Sequence, residues 1–187
     1  MNPLRLAAAA GLVSLLVVTF SAQSVNKQRL LTVTAAHLCT LSVPTTDTKV
    51  RPKATGFRNE GTTNAYVICS FDSGPSQDDL GFPPTSNDPY EVQIWVSTID
   101  GKPHTFTCTG ANSWPGYGVA YMEYVPKTIT IDPASPYLTS GAVWQPQDFF
   151  WGDVTIPASG AFSITCLLPP GAAIVLGGMR VEEDVGS

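Results

Sequence analysis

Between Tyr90 and Ser97 the chain alternates without a break, with Tyr90, Val92, Ile94 and Val96 against Glu91, Gln93, Trp95 and Ser97. Successive side chains of a strand project to opposite faces, so this period of two predicts a strand with one buried face. The same period recurs at Tyr66–Phe71, where Val67, Cys69 and Phe71 oppose Tyr66, Ile68 and Ser70, and at Phe162–Cys166. A weaker alternation covers Tyr117–Val125, a short strand is expected over Thr128–Ile131, and Ile174–Val181 is expected as the final strand.

Turn chemistry separates these runs. Asp100-Gly101 predicts a hairpin whose second arm is His104–Gly110 and carries Cys108. Asp72–Pro89, with three prolines beyond Gly81 and four aspartates, reads as a loop, and Pro169-Pro170-Gly171 as a turn. Pro126 should end its strand or mark an edge. Ser135–Asp153, broken by Pro136, Gly141, Pro146 and Gly152, reads as an irregular connection with one short strand. Lys49, Arg51 and Lys53 alternate around Pro52, the signature of a charged, proline-blunted sheet edge; contact with an anionic polymer is the functional alternative. With no amphipathic helix long enough for a crossover, these features predict an all-β, single-domain antiparallel β-sandwich. Sixteen glycines and 16 prolines in 187 residues agree.

Residues 1–24 follow a different rule. After Arg5, the run Leu6–Phe20 is apolar except for Gly11, Ser14 and Thr19, and the small residues Ser21, Ala22 and Ser24 follow. This is the three-part pattern of a signal peptide, and a spanning helix would want about 20 apolar residues. Cleavage after Ala22 or Ser24 is expected, leaving a domain over 25–187 that is secreted or periplasmic and has no membrane attachment. The formal charge of −5 becomes more negative once Arg5 is lost, so no general field attracts nucleic acid.

The export reading changes what the four cysteines mean. Cys39, Cys69, Cys108 and Cys166 are an even set in an oxidising compartment, and none forms a CxxC pair, so two disulfides are expected and no metal or cofactor. Spacing does not choose among the three pairings. The sequential set, Cys39–Cys69 and Cys108–Cys166, is adopted because it keeps each bridge within one half of the chain, clamping the two layers.

Catalytic signals are sparse. His37 and His104 are the two histidines, and no nucleophile motif accompanies either. Glu91 and Glu123 fall on predicted strands, where a solvated sheet face explains them. Asp72, Asp78, Asp79 and Asp88 could supply oxygen ligands to calcium, but their spacing is not that of an EF-hand loop. The aromatic residues between Trp114 and Trp151 are the strongest hint. Tyr and Trp combine apolar area with a polar tip, which suits a binding platform as well as a core. Trp114, Tyr117, Trp144 and Trp151 are the ligand-binding candidates, with core packing as the competing explanation.

Two segments carry a family likeness. Gly56-Phe57-Arg58-Asn59-Glu60-Gly61 leading into Ala65-Tyr66-Val67-Ile68-Cys69, and Cys166-Leu167-Leu168-Pro169-Pro170-Gly171-Ala172 leading into Arg180-Val181-Glu182-Glu183, resemble uncharacterised small exported β-sandwich proteins of Gram-negative bacteria. The resemblance implies a leader, a cysteine-ended strand after an Arg-Asn turn and a closing Cys-x-Leu-Pro segment; it implies no activity. The expected function is a non-catalytic binding module for a glycan or an extracellular protein. A structural or adhesin-like surface subunit is the alternative, and a hydrolase is a third reading.

Overall fold

A computed structural model of the chain describes residues 25–42, 49–71, 89–116, 119–134, 140–149 and 162–185. The predicted signal peptide, the Asp72–Asp88 segment with its four aspartates, Tyr117 and Trp151 lie outside these residues. In chain order the first elements are β1 (Val25–Thr34), the single-turn helix α1 (Ala35–Leu38), β2 (Cys39–Leu41), β3 (Val50–Lys53) and β4 (Gly56–Asn59). They are followed by β5 (Ala65–Phe71), β6 (Pro89–Thr98), β7 (His104–Gly116) and β8 (Val119–Ile131). The last are β9 (Gly141–Trp144), a 3-10 turn over Pro146–Asp148, β10 (Phe162–Leu168) and β11 (Ala172–Val185).

These strands form the two antiparallel sheets of a sandwich. One has six strands in the order β3-β4-β11-β6-β9, with β1 also paired to β11; the other has five, β2-β5-β10-β7-β8. The alternation read from the sequence sets which side faces the core. Val92, Ile94 and Val96 of β6 meet Val67, Cys69 and Phe71 of β5 and Phe162, Ile164, Cys166 and Leu168 of β10 in one buried cluster. Phe162 is its centre, with Phe71, Trp144 and Phe149 arranged edge-on around it at ring-centroid distances of 6.2, 6.5 and 5.9 Å.

The disulfides join Cys39 to Cys69 and Cys108 to Cys166. Each joins residues directly opposite one another on neighbouring strands, β2 with β5 and β7 with β10. Both bridges therefore stiffen the five-stranded sheet from its inner side; they do not clamp one layer to the other. Besides the shared core, polar bonds tie the layers. Asn59, fully buried on β4, donates through Nδ2 to the carbonyls of Leu168 at the end of β10 (2.8 Å) and Thr63 (2.9 Å), while its Oδ1 accepts the Gly61 N–H (2.9 Å).

Several local features differ from the sequence expectation. Tyr117–Val125 and Thr128–Ile131 are not separate strands: β8 runs through Pro126, tolerated because β8 is the sheet edge and needs no donor on its outer side. Arg58-Asn59 lies in β4, and the chain bends at Gly61–Thr63 instead. The strand β1 has no counterpart in the predicted set, since adjacent Leu30 and Leu31 break the period of two. Pro52 does sit on an edge strand, β3, and the one short strand expected within Ser135–Asp153 is β9.

Candidate functional site

Of the four aromatic candidates, Trp144 is the one whose side chain lies among the described residues. Trp144 is fully buried, its indole N–H donating to the Val125 carbonyl at 2.8 Å. It lies against β7 because Gly110 has no side chain there; a Cβ on Gly110 would stand 2.6 Å from Trp144 Nε1. This corrects the binding role expected of Trp144: with neither ring face nor N–H open to solvent, it packs the core and satisfies a buried carbonyl. Phe149 is likewise core. Trp114 lies on β7 at the register position of Tyr121 on β8, which fixes its backbone alone. Tyr117 and Trp151 lie outside the described residues.

A different set of large side chains is exposed. Tyr66, Met122 and Tyr124 are 56%, 57% and 61% exposed, all on the outer face of the five-stranded sheet. Strand alternation builds this face. With Phe106 and Cys108 turned inward, Thr105, Thr107 and Thr109 of β7 turn outward, and register sets them beside Thr130 and Thr128 of β8 and Thr165 of β10. Thr105 and Thr130 share a hydroxyl hydrogen bond of 3.1 Å. Thr40, Ser70, Ser113 and Ser163 continue the pattern, and no outward register position on this sheet holds Asp, Glu, Lys or Arg. Register also places the two tyrosines. Tyr66 pairs with Leu167, while Tyr124 pairs with Ala111, itself in line with Ser163 and Ser70. The rings thus stand three strands and four residues apart, roughly 20 Å along a diagonal of hydroxyl groups.

The opposite outer face is charged. Arg180 and Glu91 form an ion pair there (3.2 Å), and Arg51, Lys53 and Arg58 converge on Glu60 at 3.6, 3.0 and 3.4 Å. The Lys53 hydrogen bond is the largest influence lowering the Glu60 pKa; burial opposes it, and the charges of Lys53, Arg58 and Arg51 reinforce it. Trp95 lies on the same face, across Gly178, with ring atoms 2.9 Å from where a Cβ would stand. Its place among the polar members of the β6 alternation was the signal for that position.

His104 belongs to the hairpin turn. Its Nε2 donates to Asp100 Oδ1 (2.9 Å), which also accepts from Thr98 Oγ1 (2.7 Å) and the Lys102 N–H (3.0 Å). His104 first, then Thr98 and Lys102, hold the Asp100 carboxyl far below the usual carboxylate range. In a Ser-His-Asp arrangement the nucleophile bonds to the histidine. Here the hydroxyl bonds to the aspartate, so the group acts as a staple across the turn.

Among the described residues no helix is long and apolar enough to cross a membrane. Two buried disulfides are the chemistry of an oxidising, non-cytoplasmic environment. No protein-family model matches the chain and no curated protein is similar to it, so the residues themselves carry the functional argument.

Proposed function

We propose that this chain is an exported, non-catalytic binding module that holds a neutral glycan chain on the outer face of its five-stranded sheet. The observation that carries the reading is the contrast between its two faces: one bears ion pairs, the other only hydroxyl, apolar and tyrosine side chains. Threonine's preference for strands explains its presence there; it does not explain why the outward positions of this sheet carry no charge. A neutral polysaccharide offers ring faces for aromatic stacking and hydroxyls for hydrogen bonding, and a charge on the face would have to be desolvated without a partner. Tyr66 and Tyr124 supply two stacking positions set apart by several sugar units, with serine and threonine hydroxyls between them. The predicted leader and the resemblance to exported bacterial sandwiches support the location.

The test is retention on insoluble neutral polysaccharides together with a glycan array. Tyr66→Ala and Tyr124→Ala, both exposed, are expected to keep the fold and each lower affinity about tenfold, on the scale of one stacked ring at roughly 1–1.5 kcal/mol. Binding unchanged in the Tyr66→Ala, Tyr124→Ala double variant, but lost in Trp114→Ala, Trp151→Ala, would move the site to the tryptophans.

A further inference from the structure

An edge strand presents unpaired N–H and C=O groups and is the natural place for one β protein to join another. Among the described residues five strands border the two sheets: β1, β3 and β9 in one, β2 and β8 in the other. Four are poor templates. β2 has three residues, β3 and β9 have four each with Pro52 in β3, and β8 is interrupted by Pro126. β1 alone is long and unguarded, ten residues without proline or glycine.

β1 is also held lightly to its own domain. It pairs with β11 over Val25–Thr34 in unbroken register, yet none of the residues from Gln28 to Thr34 joins the core, and each of those side chains is exposed whichever face it occupies. Leu30, Leu31 and Val33 are 44%, 42% and 38% exposed. Its charge is the reverse of the molecule's: Lys27 and Arg29 with no acid, in a chain of net charge −5.

We propose that the outer edge of β1 is a homodimerisation surface, pairing antiparallel with β1 of a second copy. The occupant follows from the strand's own pattern. Two antiparallel strands related by a two-fold axis normal to the sheet place residues of like facing opposite each other. Centred on Leu30, this pairing sets Arg29 against Leu31 and Lys27 against Val33; centred on Leu31, it sets Arg29 against Val33 and Leu30 against Thr32. In neither register do two cations meet, and in each one exposed leucine lies opposite its own counterpart. Lys27 stands in register with Glu183 of β11, an acid beside the seam that offsets its repulsion of the second copy's cations. The result is a continuous sheet through both copies, and it leaves the uncharged face of each five-stranded sheet open.

The test combines solution mass with cross-linking. Light scattering on a sizing column across a wide concentration range is expected to show a shift from the protomer mass to twice that mass. Directly opposed Cα atoms lie within disulfide reach, so Leu30→Cys or Leu31→Cys should form a covalent dimer under mild oxidation. Tyr66→Cys, equally exposed on the other sheet, should not. Leu30→Lys combined with Leu31→Lys is expected to give a monomer with unchanged circular dichroism. A monomer at every concentration without cross-linking at either position, or a dimer that survives the lysine substitutions, overturns the proposal. Should the lysine variant fail to fold, the cysteine variants decide alone.

Discussion

Asn59 offers the sharpest test of how the two sheets are joined. Its side chain is fully buried and makes three hydrogen bonds, donating to the Leu168 and Thr63 carbonyls and accepting from the Gly61 N–H. Its own backbone carbonyl accepts the Gly171 N–H at 2.9 Å, so the residue connects β4, the bend after it and the turn after β10. Replacing Asn59 with alanine removes three bonds at about 1 kcal/mol each and strands their backbone partners, a loss of about 3 kcal/mol or more. Against an ordinary stability of about 5–15 kcal/mol this is a large fraction. Asn59→Asp separates hydrogen bonding from shape, because it keeps the volume and the acceptor while aiming a carboxylate at two carbonyl oxygens. It should be at least as damaging as alanine at neutral pH. A proton on the buried acid restores one donor, so its folded-state pKa is raised. The deficit is then smallest below about pH 3.9, the ordinary aspartate value, and grows as pH rises above it. Urea unfolding with the disulfides intact, at neutral and acid pH, measures both effects. If both variants stay within about 1 kcal/mol of the parent, Asn59 does not hold the layers together.

Three further outcomes follow from the same geometry. Gly110→Ala places a Cβ 2.6 Å from Trp144 Nε1 and should cost about 1–3 kcal/mol in unfolding experiments, with a changed tryptophan fluorescence as the indole leaves Val125. Because the Asp100 carboxyl is held below its ordinary value, its contribution is present above about pH 3.9 and is lost as pH falls through the folded-state value. The melting temperature of Asp100→Ala should therefore lie below the parent's at neutral pH and converge on it in strong acid. Reduction of both bridges, which close loops of 30 and 58 residues worth roughly 3.5 and 4 kcal/mol in chain entropy, should unfold or markedly soften the domain. Coincident melts with and without reductant would contradict that.

The parts of this fold legible in the sequence were those governed by local periodicity. Tyr90–Ser97 and Phe162–Cys166 alternate because one face is core and the other solvent, and they became β6 and β10. The sequential cysteine pairing also holds, but for a reason distance along the chain does not carry: each pair is directly opposed in register on adjacent strands. What stayed hidden depends on partners far along the chain. β1 owes its conformation to ladder bonds with β11 and not to a buried face, so it leaves no alternation to read. Trp144 was misread for a related reason. Composition marks where aromatic residues are dense, whereas strand parity decides which of them reach solvent. Trp144 shares the inward parity of Ala142 on β9, while Tyr66 and Tyr124 share the outward parity of the threonines. Counting outward positions for charge, strand by strand, would have set the uncharged face of the five-stranded sheet apart from the other.

The placement of the disulfides ties this face to its proposed use. Cys108–Cys166 joins β7 to β10 from the inner side, between the outward threonines at 107, 109 and 165, and Cys39–Cys69 joins β2 to β5 beside Thr40 and Ile68. Both covalent links therefore lie in the sheet that carries the uncharged face, and neither in the six-stranded sheet. A ligand laid across four strands gains most when those strands do not shear on binding, because ordering them at that moment would subtract from affinity. Cys108→Ala with Cys166→Ala should then act on binding beyond its effect on stability. Measured well below its melting temperature, where the domain stays folded through the core around Phe162, the variant should bind neutral polysaccharide severalfold more weakly than the parent. Affinity equal to the parent's in a folded variant would mean that the bridge serves stability alone and that the face is rigid without it.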